Sequence, residues 1–209
     1  KHVLENNADI GFAFDGDGDR VGIVDNKGKE IFADKIGLLI ARNLSLENPN
    51  SKFVVDVKST SLFLTDEILK KNNSEVVFWK TGHSYIKRKT SEIDATAGFE
   101  RSGHFFFNNP IGRGYDDGLL SALEILKILD NNKNKKLNDL YNELPITFSS
   151  PTMSPKCSEE RKYDVVKKLE KVFLNKMQKK ELLAGQKILS ILTVNGVRIH
   201  LEDGSWGLV

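Results

Sequence analysis

The chain has 209 residues, a formal net charge of +2 and 39% hydrophobic residues. This length suffices for one large domain, or one and a half of ordinary size, with real hydrophobic cores. The near-zero charge excludes the basic footprint of a nucleic-acid or membrane partner, and no apolar run approaches the roughly 18 residues of a membrane span. The single cysteine, Cys157, excludes an internal disulfide framework and suits a reducing compartment, so we expect a cytoplasmic protein.

Regular elements follow one another at short intervals over the first 145 residues. Two short strands over 9–14 and 21–24 flank an aspartate-rich loop, and a third strand can follow the turn at 26–28. Helices and strands then alternate: a helix over 33–44, a strand over 52–57, a helix over 62–71, a strand over 75–79, a helix over 84–93, a strand over 95–100 and a helix from about residue 116. Asp34 is a plausible N-cap of the first helix, and Asp116 and Asp117 stand at the start of the last. This alternation predicts an α/β fold, a mixed parallel sheet with flanking helices.

The pattern changes after about residue 145. A connector rich in proline and serine precedes a helix of roughly 20 residues. Strands follow, separated by the hairpin signals Asn195-Gly196 and Asp203-Gly204, which predict a separate antiparallel α+β module. The first residue is lysine, and the last, Val209, stands in the middle of a strand-like segment. We therefore expect an internal piece of a longer protein.

The aspartate-rich loop reads "AFDGDGDRVGIV" and places Asp15, Asp17 and Asp19 at alternate positions. Like charges at this spacing repel one another, so a cation is expected among them. Carboxylate oxygens are hard ligands that suit Mg²⁺ or Ca²⁺, whereas the plain alternative is a surface turn rich in aspartate and glycine. Arg20 would aim its fork of donors at a phosphate or sugar oxygen.

An EF-hand also starts with three alternate acidic residues. It then requires glycine at the sixth position and a bidentate glutamate at the twelfth, where this chain has Arg20 and Asn26. The sequence excludes an EF-hand. Three carboxylates instead suit magnesium, which takes its remaining ligands from water or phosphate.

Polar residues also follow three of the predicted strands. Ligands of such sheets bind outside the carboxyl ends of the strands. The residues at these ends are Lys58, then Lys80 and His83, then Glu100, Ser102 and His104. A single loop lysine or histidine is more often merely solvated, and the apolar run 105–107 is better explained as core support. Three such loops beside a metal loop nevertheless predict a site for a sugar phosphate.

Five segments together resemble the α-D-phosphohexomutase family, which includes phosphomannomutase and phosphoglucomutase. They are "FDGDGDR", "KTGHS", "ERSGH", "GYDDG" and "GVRIHLEDGSWGLV", and the resemblance extends over essentially the whole chain. It is nearest to the bacterial phosphomannomutase/phosphoglucomutase branch. Arg101 is a departure, since the bacterial form of the third segment is E-M-S-G-H, and it adds a charge to that loop.

The resemblance implies a division into residues 1–30 as the tail of a second domain with the metal loop, 31–145 as a third domain, and 146–209 as the start of a fourth. It also implies an isomerase that interconverts hexose 1-phosphate and hexose 6-phosphate, of mannose or glucose, through an enzyme phosphoserine. Hexose 1,6-bisphosphate would be the intermediate and activator. Small sugar phosphates would be the partners, with no nucleic acid and no membrane. One Mg²⁺ per active site would lie on Asp15, Asp17 and Asp19.

The family pattern also implies residue roles. Arg20 would orient the transferred group, and His83 would carry a proton, since an unperturbed histidine has a pKa of about 6.5. The substrate-binding set would be Arg20, Lys58, Lys80, His83, Glu100, Ser102 and His104. These 209 residues contain neither a serine segment of the T-A-S-H-N type nor the phosphate-binding segment R-A-S-N-T. The isolated chain is therefore expected to bind metal weakly and to be inactive.

Two other functions compete with this interpretation. A metal-dependent phosphatase with an aspartate nucleophile would need the pattern D-x-D-x-[TV], and this loop continues D-G-D-R instead. A structural module that binds calcium or magnesium would make the sugar loops incidental. It predicts that Glu100→Ala leaves function unchanged, whereas the mutase interpretation predicts a large loss.

Overall fold

A computed structural model describes residues 1–209, which divide into two compact units, residues 1–146 and 147–209. The first unit contains α1 (His2–Glu5), β1 (Ile10–Phe14), β2 (Val21–Asp25), β3 (Glu30–Ile31), α2 (Ala33–Glu47), β4 (Lys52–Asp56), α3 (Leu62–Thr65), α4 (Glu67–Lys71), β5 (Glu75–Trp79), α5 (His83–Glu92), β6 (Ala97–Phe99), β7 (Phe105–Phe107), α6 (Gly118–Asn131) and α7 (Leu137–Asn142). The second contains α8 (Lys162–Gln178), β8 (Ile188–Leu192), β9 (Arg198–Leu201) and β10 (Trp206–Leu208). None of the helices combines the length and apolar character that crossing a membrane requires.

The aspartate-rich loop connects the first two strands of a small antiparallel sheet. The sheet has the order β1-β2-β3, and its first hairpin ends where Phe14 pairs with Val21. At the other end of the sheet, the buried Asp25 accepts hydrogen bonds from the backbone N–H groups of Lys27 and Lys29, both at 2.9 Å. This bond pair fixes the turn before β3.

The main sheet of the first unit has the order β5-β4-β6-β7. Strand β4 pairs in parallel with β5 and β6, and β7 pairs antiparallel with β6. The expected α/β fold with a mixed parallel sheet is confirmed. The residues of 105–107, which we expected only as core support, form the antiparallel edge strand. Because β4, β5 and β6 run in the same direction, the loops that follow them leave from one edge of the sheet.

Both faces of this sheet are covered by helices. Phe99 lies at the centre of one face, with its ring centroid 5.4–6.4 Å from the rings of Phe53, Phe63, Phe105 and Phe107. Helix α2 packs closely against this face of the sheet, since a Cβ on Gly37 would lie 3.0 Å from the Phe99 ring. The opposite face buries Val54, Phe106 and, from α5, Ile86. Side chains alternate between the two faces, as a pleated strand requires.

Two local predictions are corrected by the structure. Helix α2 has Phe32 rather than Asp34 at its N-cap, and the buried Asp34 carboxylate accepts a hydrogen bond from the Thr60 N–H at 3.0 Å. The expected helix over 62–71 is two short helices, because the Asp66 side chain accepts from the N–H groups of Ile68 and Leu69 and so starts a new helix. Asp34 does not cap α2 because its side chain is bonded to a residue far along the chain. Asp66 divides the second helix because its side chain is bonded to the backbone of the residues that follow it.

The second unit is antiparallel α+β, as expected. Its sheet has the order β10-β9-β8, and its core contains Ile188, Val197 and Ile199. Val166 and Phe173 of α8 pack against this cluster. Helix α8 therefore uses one apolar face to cover one side of the sheet.

We expect the stability of the second unit to fall in mild acid because of His200. Its Nε2 accepts a hydrogen bond from Arg198 Nε at 3.0 Å, and burial, with the Arg198 charge, lowers the His200 pKa to about 4. The unfolded chain, with a histidine pKa of about 6.5, binds more protons between these values, so stability falls as the pH drops from about 6.5 to about 4, by at most about 3 kcal/mol. Urea unfolding followed by Trp206 fluorescence in a Trp79→Phe background measures this. His200→Gln should flatten the slope, and equal slopes would contradict the assignment.

Candidate active site

The loop between β1 and β2 brings its three aspartates together. Each of Asp15, Asp17 and Asp19 offers a carboxylate oxygen, and the three oxygens lie within 4.8 Å of one another. Gly18 has φ +78°, in the left-handed region that favours glycine, and its carbonyl accepts a hydrogen bond from the Gly118 N–H at 3.1 Å. The loop is thus folded back on itself and attached to the start of α6.

The chemistry of these donors fits Mg²⁺. All three are hard anionic oxygens, which this ion prefers. The Asp19 Oδ1 atom is shielded from solvent and accepts no hydrogen bond within the chain. Burial raises the pKa of Asp19, and the negative charges of Asp17 and Asp15 raise it further. A divalent cation would relieve both effects.

Arg20 is oriented by the first aspartate of the same loop. Its Nε donates to Asp15 Oδ2 at 2.6 Å and its backbone N–H donates to Asp15 Oδ1 at 3.1 Å. The hydrogen bond from the Arg20 side chain is the main reason that the Asp15 pKa falls to about 2. The Arg20 side chain remains 47% exposed, so its guanidinium can meet a ligand while it is held in place.

His104 joins the metal loop to the loop that follows β6. Its Nε2 lies 3.5 Å from Asp19 Oδ1, and its Nδ1 lies 3.3 Å from Glu100 Oε2 and 2.8 Å from Ser102 Oγ. The backbones of His104 and Arg20 also form an isolated antiparallel bridge. Two loops that are 80 residues apart in the chain therefore share one histidine.

Glu100 is the buried acid of this cluster. It is only 5% exposed, and burial raises its pKa. A tight turn holds it, because Gly103 N–H donates to its carbonyl and Glu100 N–H donates to the carbonyl of His104, both at 3.0 Å. Gly103 has φ +99°, which favours glycine in this turn. A fixed carboxylate beside the Ser102 hydroxyl can accept hydrogen bonds from two neighbouring hydroxyls of a sugar.

The loop after β5 contributes His83 but not Lys80 to the cluster. The ring of His83 stacks on that of His104 with centroids 5.5 Å apart, and its Nδ1 lies 3.6 Å from Asp116 Oδ2. The Lys80 ammonium instead lies 5.7 Å from the centre of the Tyr85 ring. Substrate binding by Lys80 stays a prediction.

Lys58 has its backbone held and its side chain exposed. Its N–H donates to Asp56 Oδ1 at 2.6 Å, and its carbonyl accepts from Arg101 Nη1 at 3.2 Å. The loop after β4 is thereby attached to the loop after β6. The exposed ammonium of Lys58 is available to an anionic ligand.

Sequence reasoning missed the part that Asp116 plays in this cluster. We predicted both aspartates before α6 as helix caps, but only Asp117 caps, accepting from the Leu120 N–H at 2.9 Å. An Asp116 carboxylate oxygen lies 3.6 Å from His83 Nδ1, and the other lies 3.9 Å from Lys87 Nζ. The two consecutive aspartates could have revealed this role, because one helix start needs only one such cap and the other aspartate is then free for a different contact.

A cavity of about 380 Å³ lies beside the aspartate-rich loop and the loop that follows β6. Its lining includes Asp15, Arg20, Arg101 and Ser102, with Phe14 and Phe32 among the apolar members. Two guanidinium groups therefore border a space next to the aspartates. That combination suits an anionic ligand with hydroxyl groups.

We expect Gly118→Ala to damage the metal loop. A Cβ at this position would lie 2.7 Å from the Gly18 carbonyl oxygen and 2.9 Å from that of Arg20, and both are backbone atoms that cannot rotate away. We expect about 1–3 kcal/mol less stability in urea unfolding, as in other overpacked sites, and weaker Mg²⁺ binding in a calorimetric titration. Gly16→Ala, in the same loop, is the control, because nothing lies within 4 Å of its Cβ position. Equal effects of the two substitutions would contradict the assignment.

The sequence matches the model of a known protein family. The family model described as phosphoglucomutase/phosphomannomutase, alpha/beta/alpha domain III, matches residues 32–148. The chain belongs to the phosphoglucomutase/phosphomannomutase family. The matched range contains the main sheet and the loops that hold Lys58, His83 and Glu100, while the aspartate loop precedes it.

Named relatives agree with this membership. A phosphomannomutase/phosphoglucomutase of Pseudomonas syringae pv. tomato is 35% identical over 207 residues, which are 99% of this chain and 41% of the relative. A phosphoglucomutase of Neisseria meningitidis serogroup A is 34% identical over 197 residues, which are 94% of this chain and 40% of the relative. The chain thus spans about two fifths of the length of these relatives.

A solved structure of the same family has the same fold. A phosphoglucomutase/phosphomannomutase family protein of Burkholderia thailandensis superimposes with a TM-score of 0.75 at 30% identity. The match covers 99% of this chain and 40% of that one. The phosphohexomutase fold therefore extends over both units described above.

Proposed function

We propose that this chain is the central part of a phosphohexomutase that interconverts hexose 1-phosphates and hexose 6-phosphates. One observation carries the proposal: His104 contacts both the aspartate loop, through Asp19, and the sugar loop, through Glu100 and Ser102. A site for a charged phosphoryl group and a site for sugar hydroxyls therefore adjoin each other. The names of the relatives support the same reaction.

The proposed reaction transfers a phosphoryl group from a phosphoserine to a sugar phosphate and returns the other phosphate from hexose 1,6-bisphosphate. Such transfer depends mainly on positioning and charge neutralisation. Mg²⁺ held by Asp15, Asp17 and Asp19 would supply positive charge at the phosphoryl oxygens. Arg20, fixed by Asp15, points its remaining donors at the transferred group. Glu100 and Ser102 hold the sugar hydroxyls in either orientation of the bisphosphate.

Proton transfer at the attacking hydroxyl is the task of the histidine pair. His83 lies against Asp116, and His104 lies between Asp19 and Glu100. An imidazole ring held beside these carboxylates can take the proton of the sugar hydroxyl as the phosphoryl group arrives.

The proposal includes three features of the whole protein. The division at about residues 30 and 145, with the phosphoserine loop and the phosphate-binding loop outside this chain, predicts that the 209 residues alone do not turn over. The substrate class is mannose phosphate, glucose phosphate or both, in line with the two activities in the names of the relatives. The protein would act in the cytoplasm, where sugar phosphates are made.

The deciding experiment follows ³¹P NMR of the complete protein with glucose 1-phosphate and mannose 1-phosphate separately, with Mg²⁺ and a trace of the bisphosphate. We expect conversion to 6-phosphates, which stops when EDTA removes the metal and resumes when Mg²⁺ is restored. Release of inorganic phosphate would indicate a phosphatase. Unchanged substrates would overturn the proposal. Turnover by the 209 residues alone would overturn only the part that places two required loops outside this chain.

A further inference from the structure

Asp56 is a buried carboxylate to which the proposed chemistry assigns no part. It is fully buried at the end of β4. Its Oδ1 accepts from the Lys58 N–H and its Oδ2 accepts from the Arg101 N–H, both at 2.6 Å. Burial raises the pKa of Asp56, so keeping this carboxylate ionised to accept the two bonds costs desolvation free energy. A single carboxylate thus spans the two loops that leave neighbouring strands.

The Arg101 side chain closes the same connection from the other direction. Its Nη1 donates to the Lys58 carbonyl at 3.2 Å. Both backbone polar groups of Lys58 are therefore bonded, the N–H to Asp56 and the carbonyl to Arg101. The Lys58 side chain itself is exposed, and Arg101 also lines the cavity beside Arg20 and Ser102.

The remainder of the lysine loop, residues 57–61, is held by further buried groups. The Asp34 carboxylate accepts from the Thr60 N–H at 3.0 Å, and Lys35 Nζ donates to Thr60 Oγ1 at 3.3 Å. Ser59 N–H donates to the Asp56 carbonyl at 3.0 Å. These hydrogen bonds fix the backbone of the five-residue loop. They therefore limit the positions that the exposed ammonium of Lys58 can reach.

We propose that Asp56 and Arg101 are positioning residues that form a clasp, the Asp56–Arg101 clasp, which sets the position of Lys58 relative to Glu100. The ammonium of Lys58 would then meet an anionic or hydroxyl oxygen of the substrate while Glu100 holds the neighbouring hydroxyls. A catalytic group displaced by about 1 Å loses on the order of 100-fold in rate. This inference rests on the proposed function for its kinetic part only.

The first test needs no activity. Amide hydrogen exchange of the 209-residue chain, read by NMR, should show slow exchange at Lys58 and Arg101, and fast exchange at one or both of them in Asp56→Asn. An amide in place of the carboxylate presents an N–H group to one of the two backbone donors, so at most one bond can survive. The β4 amides should stay protected in both proteins. Unchanged exchange of both the Lys58 and the Arg101 amide in Asp56→Asn would overturn the clasp.

The second test is a kinetic cycle in the complete protein. Asp56→Asn should lower kcat/KM roughly 10- to 100-fold. In a Lys58→Ala background the same substitution should cost less than about threefold, because a positioning residue has no effect once the residue it positions is absent. Full additivity of the two losses would contradict the clasp, since Asp56 would then act independently of Lys58.

Asp66→Asn is the matched control. Asp66 is another buried aspartate that accepts two backbone hydrogen bonds, but it caps α4, pairs with Arg42 and does not line the cavity. It should lower the unfolding midpoint and leave kcat/KM unchanged, which separates positioning from general loss of stability. Arg101→Met removes the bond to the Lys58 carbonyl and also the guanidinium that borders the cavity. Its loss of kcat/KM should shrink in the Lys58→Ala background, and an equal loss in both backgrounds would remove Arg101 from the clasp.

The two proposals fail in different ways. If the complete wild-type protein interconverts no hexose phosphate, the proposed function fails, and the exchange of the Lys58 and Arg101 amides decides the clasp. If the wild type is active and Asp56→Asn keeps full activity, the clasp fails and the proposed function stands.

Discussion

Replacing Arg20 by glutamine should lower the kcat of the complete protein by about 10²–10³-fold. Removal of one preoriented donor from a developing negative charge typically has an effect of this size. Arg20 is preoriented, because its Nε and its backbone N–H are both bonded to Asp15. Initial rates of glucose 1-phosphate conversion at saturating substrate measure the effect. The exposed Arg88 of α5 supplies the control, and Arg88→Gln should leave kcat within about twofold.

The same substitution has a consequence that requires no turnover. The Arg20 side chain is the main cause of the low pKa of Asp15, about 2, so that pKa should return toward its usual value in Arg20→Gln. Carbon-detected NMR titration of the Asp15 carboxyl in the 209-residue chain measures this without metal. An Asp15 pKa that stays near 2 in the variant would show that the pair in the structure does not control it.

Glu100→Gln should lower activity without lowering stability. The amide retains the shape of the carboxylate but loses its charge, so the sugar hydroxyls lose a charged acceptor, and kcat/KM should fall roughly 100-fold through a higher KM and a lower kcat. Burial disfavours the ionised Glu100, as its raised pKa shows, so the neutral amide should leave the unfolding midpoint unchanged or higher. Steady-state kinetics and thermal unfolding of one preparation measure both effects.

Glu124 provides the matched control for that experiment. It is another buried glutamate whose pKa is raised by burial, and it lies on α6, outside the cluster around His104. Glu124→Gln should therefore leave the midpoint equal or higher and kcat/KM unchanged. If Glu100→Gln also kept full activity, the structural-module interpretation would gain and the sugar-binding role of Glu100 would be wrong.

Most of the fold could be predicted because its strongest signals are local. From β4 to α6 the alternation of helices and strands was correct except at helix 62–71 and strand β7, and the change to an antiparallel module after residue 145 was correct. The errors occurred where periodicity carries no information. Three consecutive phenylalanines do not alternate, so strand β7 was not predicted, and helix 62–71 kept its apolar period across the break at Asp66.

The candidate site was partly predictable for a related reason. Loops after parallel strands converge at one sheet edge, and this rule correctly grouped His83, Glu100, Ser102 and His104. It could not tell that Lys80 turns to Tyr85 instead. The direction of a long side chain depends on neighbours that are not adjacent in the chain.

The sequence by itself determined which chemical groups are available and at which strand ends they stand: three alternate aspartates, an arginine, and the polar loops of one sheet edge. Only the tertiary structure decided what each short acidic side chain does. Asp34, Asp56, Asp66, Asp116 and Asp117 all stand at element boundaries, where a carboxylate can cap a helix, bridge two loops or face a histidine. Local sequence is alike in these cases, because each outcome requires only an aspartate near a turn. The choice depends on which N–H groups and cationic or imidazole side chains the fold brings within hydrogen-bonding or ion-pairing distance, and that is a property of the packed chain.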